Sequence, residues 1–300
     1  MSAAAGAPAR EETPFRRFLA DFAESRMAVL GLVVFAAILV AALAAPWVSP
    51  QNPYDLAQLD IMDGRLPPGA QSAEGMTFWL GTDDQGRDML SAILYGLRIS
   101  LFVGAGSALL AGVVGSALGL VAAYAGGWFE SFVMRLVDLQ LSFPSILVAL
   151  MILAFLGKGV GNVMLALVIV EWAYYARTAR GSAMAERRRE YIEAAECLAL
   201  PRIRVVFRHL LPNCMPPLIV VATFQMARAI ALEATLSFLG LGVPITEPSL
   251  GLLIANGYQY MLSGKYWISF YPGIALLVTI VSINLVGDHL RDVLNPKLRR

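Results

Sequence analysis

The sequence predicts an all-α integral membrane protein with six transmembrane helices and a cytoplasmic helix-turn-helix loop. Composition is the first observation: 58% of the 300 residues are hydrophobic and 15% are charged, whereas soluble domains have about 25% charged residues. The mean hydropathy is +0.65. Long apolar segments are the second observation, and an uneven distribution of arginine between them is the third. The net charge of +1 indicates little about partners, because the side of the membrane that a charge occupies matters more than the sum.

Six segments are long enough to cross a bilayer. A helix needs about 20 mostly apolar residues to cross a hydrocarbon core of about 30 Å. In chain order the segments are Met27 to Trp47, Ile99 to Ala125, Phe132 to Leu156, Gly159 to Arg177, Pro217 to Leu239 and Trp267 to Val286. The first is longer than the apolar core of a secretory signal, so we interpret it as an uncleaved span.

Two local signals lie inside these predicted spans. Pro144 predicts a kink in the third span, because proline removes a backbone hydrogen bond and clashes with the preceding turn. Gly115 and Gly119 form a GxxxG step in the second span. Such a step is typical of close helix packing.

Arginine sets the predicted sidedness. One stretch between spans contains Arg177, Arg180, Arg187, Arg188, Arg189, Arg202, Arg204 and Arg208, while the stretch after the first span is rich in aspartate. By the positive-inside rule, the arginine-rich stretch and both termini are cytoplasmic. The predicted organisation is a cytoplasmic segment 1–26, a first span 27–48, an extracytoplasmic loop 49–98, a five-helix core 99–290 containing the cytoplasmic loop 181–216, and a cytoplasmic tail 291–300.

The motifs that would indicate an enzyme or a cofactor site are missing from the sequence. The stretch GTDDQGRDML, residues 81–90, has Arg87 and Asp88 where a phosphate-binding loop needs lysine and a hydroxyl residue. There is no metal-ligand cluster or hydrolytic triad, and the two cysteines, Cys197 and Cys214, are too few for a disulfide framework. We therefore predict a chain without catalytic residues, without bound cofactor or metal, and without a nucleic-acid partner.

The segment EYIEAAECLALPRIRVVFRHLLPN, residues 190–213, is highly charged for such an apolar chain. On a helical wheel, Tyr191, Ile192, Ala194, Ala195, Leu198 and Ala199 form an apolar arc opposite Arg189, Glu190, Glu193 and Glu196, which predicts an amphipathic helix. Pro201 must end or restart that helix. A second short helix is predicted after it, with Ile203, Val206, Phe207 and Leu210 opposite Arg204 and Arg208. Such a pair of helices can dock into a groove of another protein or lie on anionic lipid headgroups.

Three ionisable residues inside the predicted spans are candidates for a translocation pathway. They are Glu171, Arg228 and Glu233. A charge within the bilayer is costly, so these side chains should face protein or water rather than lipid. Glu171 and Arg228 lie at similar predicted depth, and we expect them either to pair across two helices or to line a pathway together; a purely structural contact is the alternative. Glu233 lies toward the outer side, which favours contact with substrate or with a binding protein.

The charged segment resembles the EAA motif of permease subunits of binding-protein-dependent ABC importers. Glu193, Ala194, Ala195 and Pro212 match that pattern, whereas Ala199 stands where the family has glycine, and Pro201 is interpreted as setting the turn instead. The segments GTDDQGRDMLSAILYGLRISL, LSFPSILVAL, EATLSFLGLG and NLVGDHLRDVLNPKLR are similar to dipeptide and oligopeptide permease C-type subunits, which have the MetI-like fold. The resemblance implies an ATPase-coupling interface made by Tyr191, Glu193, Ala194, Ala195, Ala199, Pro201, Arg208 and Pro212.

The resemblance also implies the partners and the location. They are a second homologous permease subunit, two cytoplasmic ABC ATPase subunits that bind ATP and magnesium, an extracytoplasmic solute-binding protein and the lipid bilayer of the bacterial inner membrane. The implied function is import of peptides or similar small solutes, with chelated nickel, glutathione or opines as other substrates within the family. A self-sufficient secondary transporter or channel remains the alternative, because intramembrane charges also occur in that class.

Overall fold

The computed structural model describes residues 13–55, 59–72 and 75–294, and most of these residues are helical. The helices are α1 Pro14–Ala23, α2 Arg26–Val48, α3 Met89–Ala125, α4 Gly127–Ser142, α5 Ser145–Leu156, α6 Val160–Glu186, α7 Glu190–Cys197, α8 Arg202–Arg204, α9 Leu211–Phe238, α10 Leu250–Tyr258 and α11 Trp267–Leu294. A π-helical segment, Val205–Leu210, joins α8 to α9, and short 3-10 turns cover Ile61–Asp63 and Met261–Ser263. Strands β1 Ala70–Gln71 and β2 Thr77–Phe78 form a small antiparallel hairpin.

Four helical stretches of the described chain are long and apolar enough to cross a membrane. They are Arg26–Val48, Met89–Ala125, Val205–Phe238 and Trp267–Leu294. The α4–α5 pair, bent by 94°, makes a fifth if it is counted as one broken span. The remaining predicted span corresponds to α6, which has 27 residues and is therefore about 40 Å long, although it carries more polar side chains. These elements are consistent with the predicted six crossings.

Helix α3 begins ten residues before its predicted start. The Asp88 side chain caps the helix, because its Oδ2 accepts hydrogen bonds from the backbone N–H and the hydroxyl of Ser91 at 2.8 and 2.7 Å. An aspartate at this position satisfies backbone donors that the first helical turn leaves open. The predicted loop 49–98 therefore ends at Asp88, and polar residues that looked extramembrane in sequence belong to the helix.

The kink predicted at Pro144 is a complete break between α4 and α5. Phe143 has φ −93° and ψ 143°, and Pro144 has φ −58° and ψ 120°, so both residues leave the helical conformation. Proline disfavours the α conformation at the residue before it, which accounts for the extended Phe143. The break leaves two half-length helices in place of one continuous span.

The core is built around α3, which packs along both α6 and α9. A Cβ atom added at Gly115 would lie 2.2 Å from the carbonyl oxygen of Trp172, and one added at Gly119 would lie 2.3 Å from that of Ala176. Both carbonyls belong to α6. Close packing at the GxxxG step is thus confirmed, and only glycine permits the observed approach of the two backbones.

The loop between α2 and α3 is fixed to the far end of the helical bundle. Buried Arg87 donates a hydrogen bond from Nη2 to the carbonyl oxygen of Ile245 at 3.1 Å, and Trp267 Nε1 donates to that of Thr82 at 3.2 Å. Burial raises the pKa of the Asp83 carboxyl to about 6. The hydrogen bonds of Arg87 and Thr82 join the GTDDQGRDML stretch to the segment before α10 and to α11.

The N-terminal helix α1 packs against the end of α11. The Phe22 ring centroid lies 5.2 Å from that of His289, and His289 Nε2 lies 3.2 Å from the Asp21 carbonyl oxygen. The described part of the predicted segment 1–26 therefore contacts α11 at His289, just before the predicted tail 291–300. Residues 1–12 and 295–300, which complete those two predictions, lie outside the described residues.

Candidate functional site

The EAA segment, which we define as residues 190–212, contains a helix, a turn and a second helix. The first helix, α7, ends at Cys197, and the second starts with α8 at Arg202. The prediction that the second helix is short is wrong. It continues through the π-helical turn into α9, since the Leu211 N–H donates to the Val206 carbonyl oxygen. Pro212 is the second residue of α9, and the helical path continues past it although proline has no N–H to donate.

One face of the EAA segment is anchored to α3. Ile192, Ala195 and Val205 are buried together, with Tyr124 and Leu200 packed against them. Tyr124 lies at the end of α3. The two arms of the segment are thus held against each other and against a membrane-spanning helix by a small apolar core.

The opposite face exposes apolar side chains. Leu198 is 74% exposed and Ile203 75%, although apolar side chains of this size usually become buried. Phe207, 63% exposed, borders the groove between α3 and α9 that is described below. Tyr191, Ala194 and Glu193 are also exposed. The apolar arc predicted from the wheel is therefore divided between an inner face and a free outer face.

The turn between the arms depends on Ala199. This residue has φ +52°, in the left-handed region that glycine adopts most easily. The Leu200 N–H donates to the Ala195 carbonyl oxygen at 3.3 Å, which is the bonding pattern of a helix ending on a left-handed residue. The interpretation that Pro201 sets the turn is wrong, because Ala199 adopts the conformation expected of the family glycine. Pro201 instead starts the second arm, where its carbonyl accepts from the Arg204 N–H at 2.8 Å.

Substitutions at Ala199 are expected to change the stability of this turn in opposite directions. Ala199→Gly removes left-handed strain of about 1 kcal/mol, and Ala199→Val adds strain because a β-branched residue fits that region poorly. In hydrogen–deuterium exchange, the Leu200 amide should exchange about threefold more slowly with glycine and at least about tenfold faster with valine. Ala194→Val, at an exposed alanine within α7, is the matched control and should leave that rate unchanged. Equal exchange rates in all variants would contradict the conclusion that the turn depends on Ala199.

Polar contacts join the end of α6 to the EAA segment and to the end of α3. The Tyr191 hydroxyl donates to Glu186 Oε2 at 2.8 Å. Arg187 Nη1 donates to the carbonyl oxygens of Ala123 and Tyr124 at 3.2 and 3.3 Å, and its guanidinium stacks over the Tyr124 ring. Arg208 is exposed on the second arm. Arg187 was not among the predicted site residues, although it belongs to the arginine cluster that indicated sidedness.

Two ion pairs between α4 and α6 were also missed. Arg180 Nε donates to Glu130 Oε1 at 2.7 Å, and Arg177 pairs with Asp138. Asp138 lies inside the predicted third span, so a charge count of that segment would have found it. Both pairs lie on the half of α6 nearer the EAA segment.

Glu171 and Arg228 are close in the fold but are not bonded to each other. The Arg228 Nη2 donates to the Ser145 hydroxyl oxygen at 2.6 Å, and its guanidinium lies 4.6 Å from the centre of the Tyr174 ring. Glu171 is fully buried, and neither of its carboxyl oxygens has a hydrogen-bond partner among the described residues. The direct pair is therefore absent from the structure, and a shared pathway and a purely structural role both remain predictions.

Glu233 is enclosed within the helix bundle. It is fully buried, and its carboxyl oxygens accept hydrogen bonds from the hydroxyls of Ser100 and Ser237 at 2.9 and 2.8 Å. These serines lie on α3 and on α9 itself. The expectation that Glu233 contacts substrate or a binding protein does not fit this geometry, since its hydrogen bonds join α3 to α9.

An apolar groove of about 390 Å³ runs between α3 and α9 beside the second arm of the EAA segment. Val113 and Val121 of α3 line one side, and Met215 and Ile219 of α9 line the other. All four side chains are exposed. The groove leaves an apolar face of the two central helices uncovered by this chain.

The fold of this chain recurs in a known membrane transport protein. The same helical arrangement occurs in the inward-facing MetNI methionine ABC transporter, with a TM-score of 0.57 and 18% identity over 69% of this chain and 98% of that chain. Residues 115–300 match the family described as binding-protein-dependent transport system inner membrane component, and residues 13–68 match the N-terminal TM domain of oligopeptide transport permease C. The chain therefore belongs to the permease components of binding-protein-dependent transport systems.

Full-length relatives are found among named peptide permeases. The di/tripeptide transport system permease protein DppC of Pseudomonas aeruginosa (strain UCBPP-PA14) is 37% identical, with 100% of this chain and 99% of that protein aligned. The dipeptide transport system permease protein DppC of Escherichia coli (strain K12) is 39% identical over 96% of this chain and 95% of that protein. The probable D,D-dipeptide transport system permease protein DdpC of Escherichia coli is 36% identical over 91% and 88%. The predicted family, including its C-type branch, is confirmed.

Proposed function

We propose that this chain is the permease subunit of an ABC importer that moves short peptides inward with energy from ATP hydrolysed by partner subunits. The observation that carries the proposal is the EAA segment, which is anchored by one face to α3 and presents uncovered apolar side chains on the other. A surface of this kind suits a groove in a protein partner. Transport by the named relatives supports peptides as the substrate.

The continuity of the second arm with α9 supports a coupling role. The helical path from Val205 to Phe238 is unbroken, so a displacement of the EAA segment moves a whole span. A coupling element can change the balance of two transport states only if its partner binds them with different affinity. A long helix with one end in the partner's groove and the other near the far side provides that connection.

The proposed partners each have a place on the chain. Two ATPase subunits, which bind ATP and magnesium, dock on this chain and on its homologue. This chain itself has no cofactor and no catalytic role. The second permease covers the apolar groove between α3 and α9. The binding protein docks at the opposite end, where the loop between α2 and α3 lies, and both termini are cytoplasmic.

The alternative of a lipid-bound EAA segment uses the same exposed side chains. Leucine, isoleucine and phenylalanine beside arginine also suit a membrane interface. We favour a protein groove because the segment is held in place by its buried core against Tyr124 and by the hydrogen bond from Tyr191 to Glu186, and a fixed position is expected of an element that transmits movement.

Reconstitution tests the proposed function. Proteoliposomes containing this chain, its partner permease and both ATPase subunits should accumulate labelled Ala-Ala only when ATP and the binding protein are supplied. Omission of this chain is the control. Uptake by the chain alone, driven by an ion gradient without ATP, would instead establish the secondary transporter.

A further inference from the structure

Arg228 places a positive charge deep inside an apolar span. It lies ten residues before the end of α9 at Phe238, or about 15 Å along the helix. This depth is close to the middle of a hydrocarbon core of about 30 Å. A guanidinium at such a depth is excluded from lipid contact by its cost, so it must face protein or a water-filled path.

The contacts of Arg228 within the chain are with neutral groups. Its Nη2 bonds the Ser145 hydroxyl, and its guanidinium lies over the Tyr174 ring. Glu171 is within electrostatic range, but the described residues contain no ion pair between the two. The remaining N–H groups of the guanidinium have no hydrogen-bond partner in the described part of the chain.

The surroundings hold the guanidinium in a fixed position without neutralising it. Ser145 is the first residue of α5, directly after the break at Pro144, and Tyr174 belongs to α6. Three helices therefore meet at this side chain. An arginine fixed by stacking and by one hydrogen bond loses little further freedom when it binds a ligand.

The side chain also lies on a face of α9 that its own chain does not seal. Arg228 is only partly buried, and Thr235, seven residues later and hence on the same face, is exposed. In the importer proposed above, on which this inference rests, such a face can meet only the second permease or the solute path. Water and a passing solute on that path can accept hydrogen bonds from the remaining N–H groups of Arg228, whereas lipid cannot.

We propose that Arg228 binds the carboxylate of the transported solute during its passage. A guanidinium presents parallel N–H groups that match the two oxygens of a carboxylate. Every unmodified peptide has such a group at its C-terminus, so the site recognises the substrate class without reading side chains. The contact is transient, because a site within a pathway must also release its ligand.

Saturation-transfer NMR on the permease and ATPase complex in nanodiscs, without binding protein, measures this contact directly. The probes are Ala-Ala and its C-terminal amide, which lacks the carboxylate. The wild-type complex should bind Ala-Ala about tenfold more tightly than the amide, as expected for a charged hydrogen-bonded pair. Arg228→Met should lower the affinity for Ala-Ala to that for the amide and leave the amide unchanged, and Arg228→Lys should be intermediate.

Controls separate this result from misfolding and from failure of the proposed function. Thr235→Val, on the same face of α9, should keep the tenfold preference. Stimulation of ATP hydrolysis by the binding protein, measured on each variant, reports assembly and coupling independently of peptide affinity. If the Arg228→Met complex does not assemble, the affinities of the Arg228→Lys complex for the two peptides test the proposal instead. Three results would overturn the carboxylate site, even where ATP-driven uptake is intact. They are an unchanged preference for Ala-Ala over its amide in the assembled Arg228→Met complex, an equal loss of affinity for both peptides in that complex, and no preference for Ala-Ala in the wild-type complex.

Discussion

Glu193→Lys is expected to abolish ATP-driven uptake while leaving membrane insertion and chain abundance unchanged. Glu193 is exposed on α7, beside the uncovered apolar side chains of the EAA segment. Reversal of its charge does not disturb the buried core formed by Ile192, Ala195 and Val205. At a protein interface, however, a misplaced charge costs several kcal/mol, which corresponds to at least about a thirtyfold loss of coupled transport. Uptake of labelled Ala-Ala into the proteoliposomes described above is the measurement.

The matched control for Glu193→Lys is Asp292→Lys. Asp292 is also exposed and lies near the end of α11, so this variant makes the same charge change outside the EAA segment. Its uptake should equal that of the wild-type chain. Normal uptake by the Glu193→Lys variant would contradict the prediction that Glu193 lies in the coupling interface.

Gly115→Leu is expected to destabilise the packing of the central helix pair, α3 and α6. A Cβ at Gly115 would already lie 2.2 Å from the Trp172 carbonyl oxygen and 2.7 Å from Tyr175 Cβ, and backbone atoms of α6 cannot move aside as a flexible side chain would. Overpacking in a dense core commonly costs about 1–3 kcal/mol, and a clash with backbone should reach the upper end or exceed it. We expect a Tm lower by about 5 °C or more in thermal unfolding of purified protein, together with reduced abundance in the membrane.

A second glycine provides the comparison for Gly115→Leu. Gly273 lies within α11 and would have no atom within 4 Å of an added Cβ. Gly273→Leu should therefore unfold at the wild-type temperature. If the two variants unfold alike, the separation of α3 and α6 is not set by Gly115.

Features governed by local chemistry could be predicted from the sequence. Apolar length located the spans, the GxxxG step located the contact between α3 and α6, and the EAA pattern located the helix-turn-helix. The position of Ala199 in the motif even coincides with the left-handed residue of the turn. Its conformation could not be predicted, because alanine rarely adopts a positive φ and Pro201 offered a simpler reason for the turn.

Features that depend on neighbouring helices escaped prediction. The buried state of Glu233 follows from Ser100, a residue 133 positions away on α3, and no local pattern indicates that pairing. The same is true of Arg228, whose partner Ser145 is brought within reach by the break before α5. Hydropathy indicates the depth of an intramembrane charge, whereas only the packing of the helices shows which group forms a hydrogen bond with it.

Site-specific photocrosslinking from the EAA segment identifies the partner that contacts this surface. Leu198, 74% exposed on that segment, and Leu262, 102% exposed toward the opposite end of the bundle, would each be replaced in turn by p-benzoylphenylalanine in the assembled transporter. We expect an adduct with the ATPase subunit from position 198 and none from position 262. Adducts from position 198 with lipid alone, or equal ATPase adducts from both positions, would contradict it.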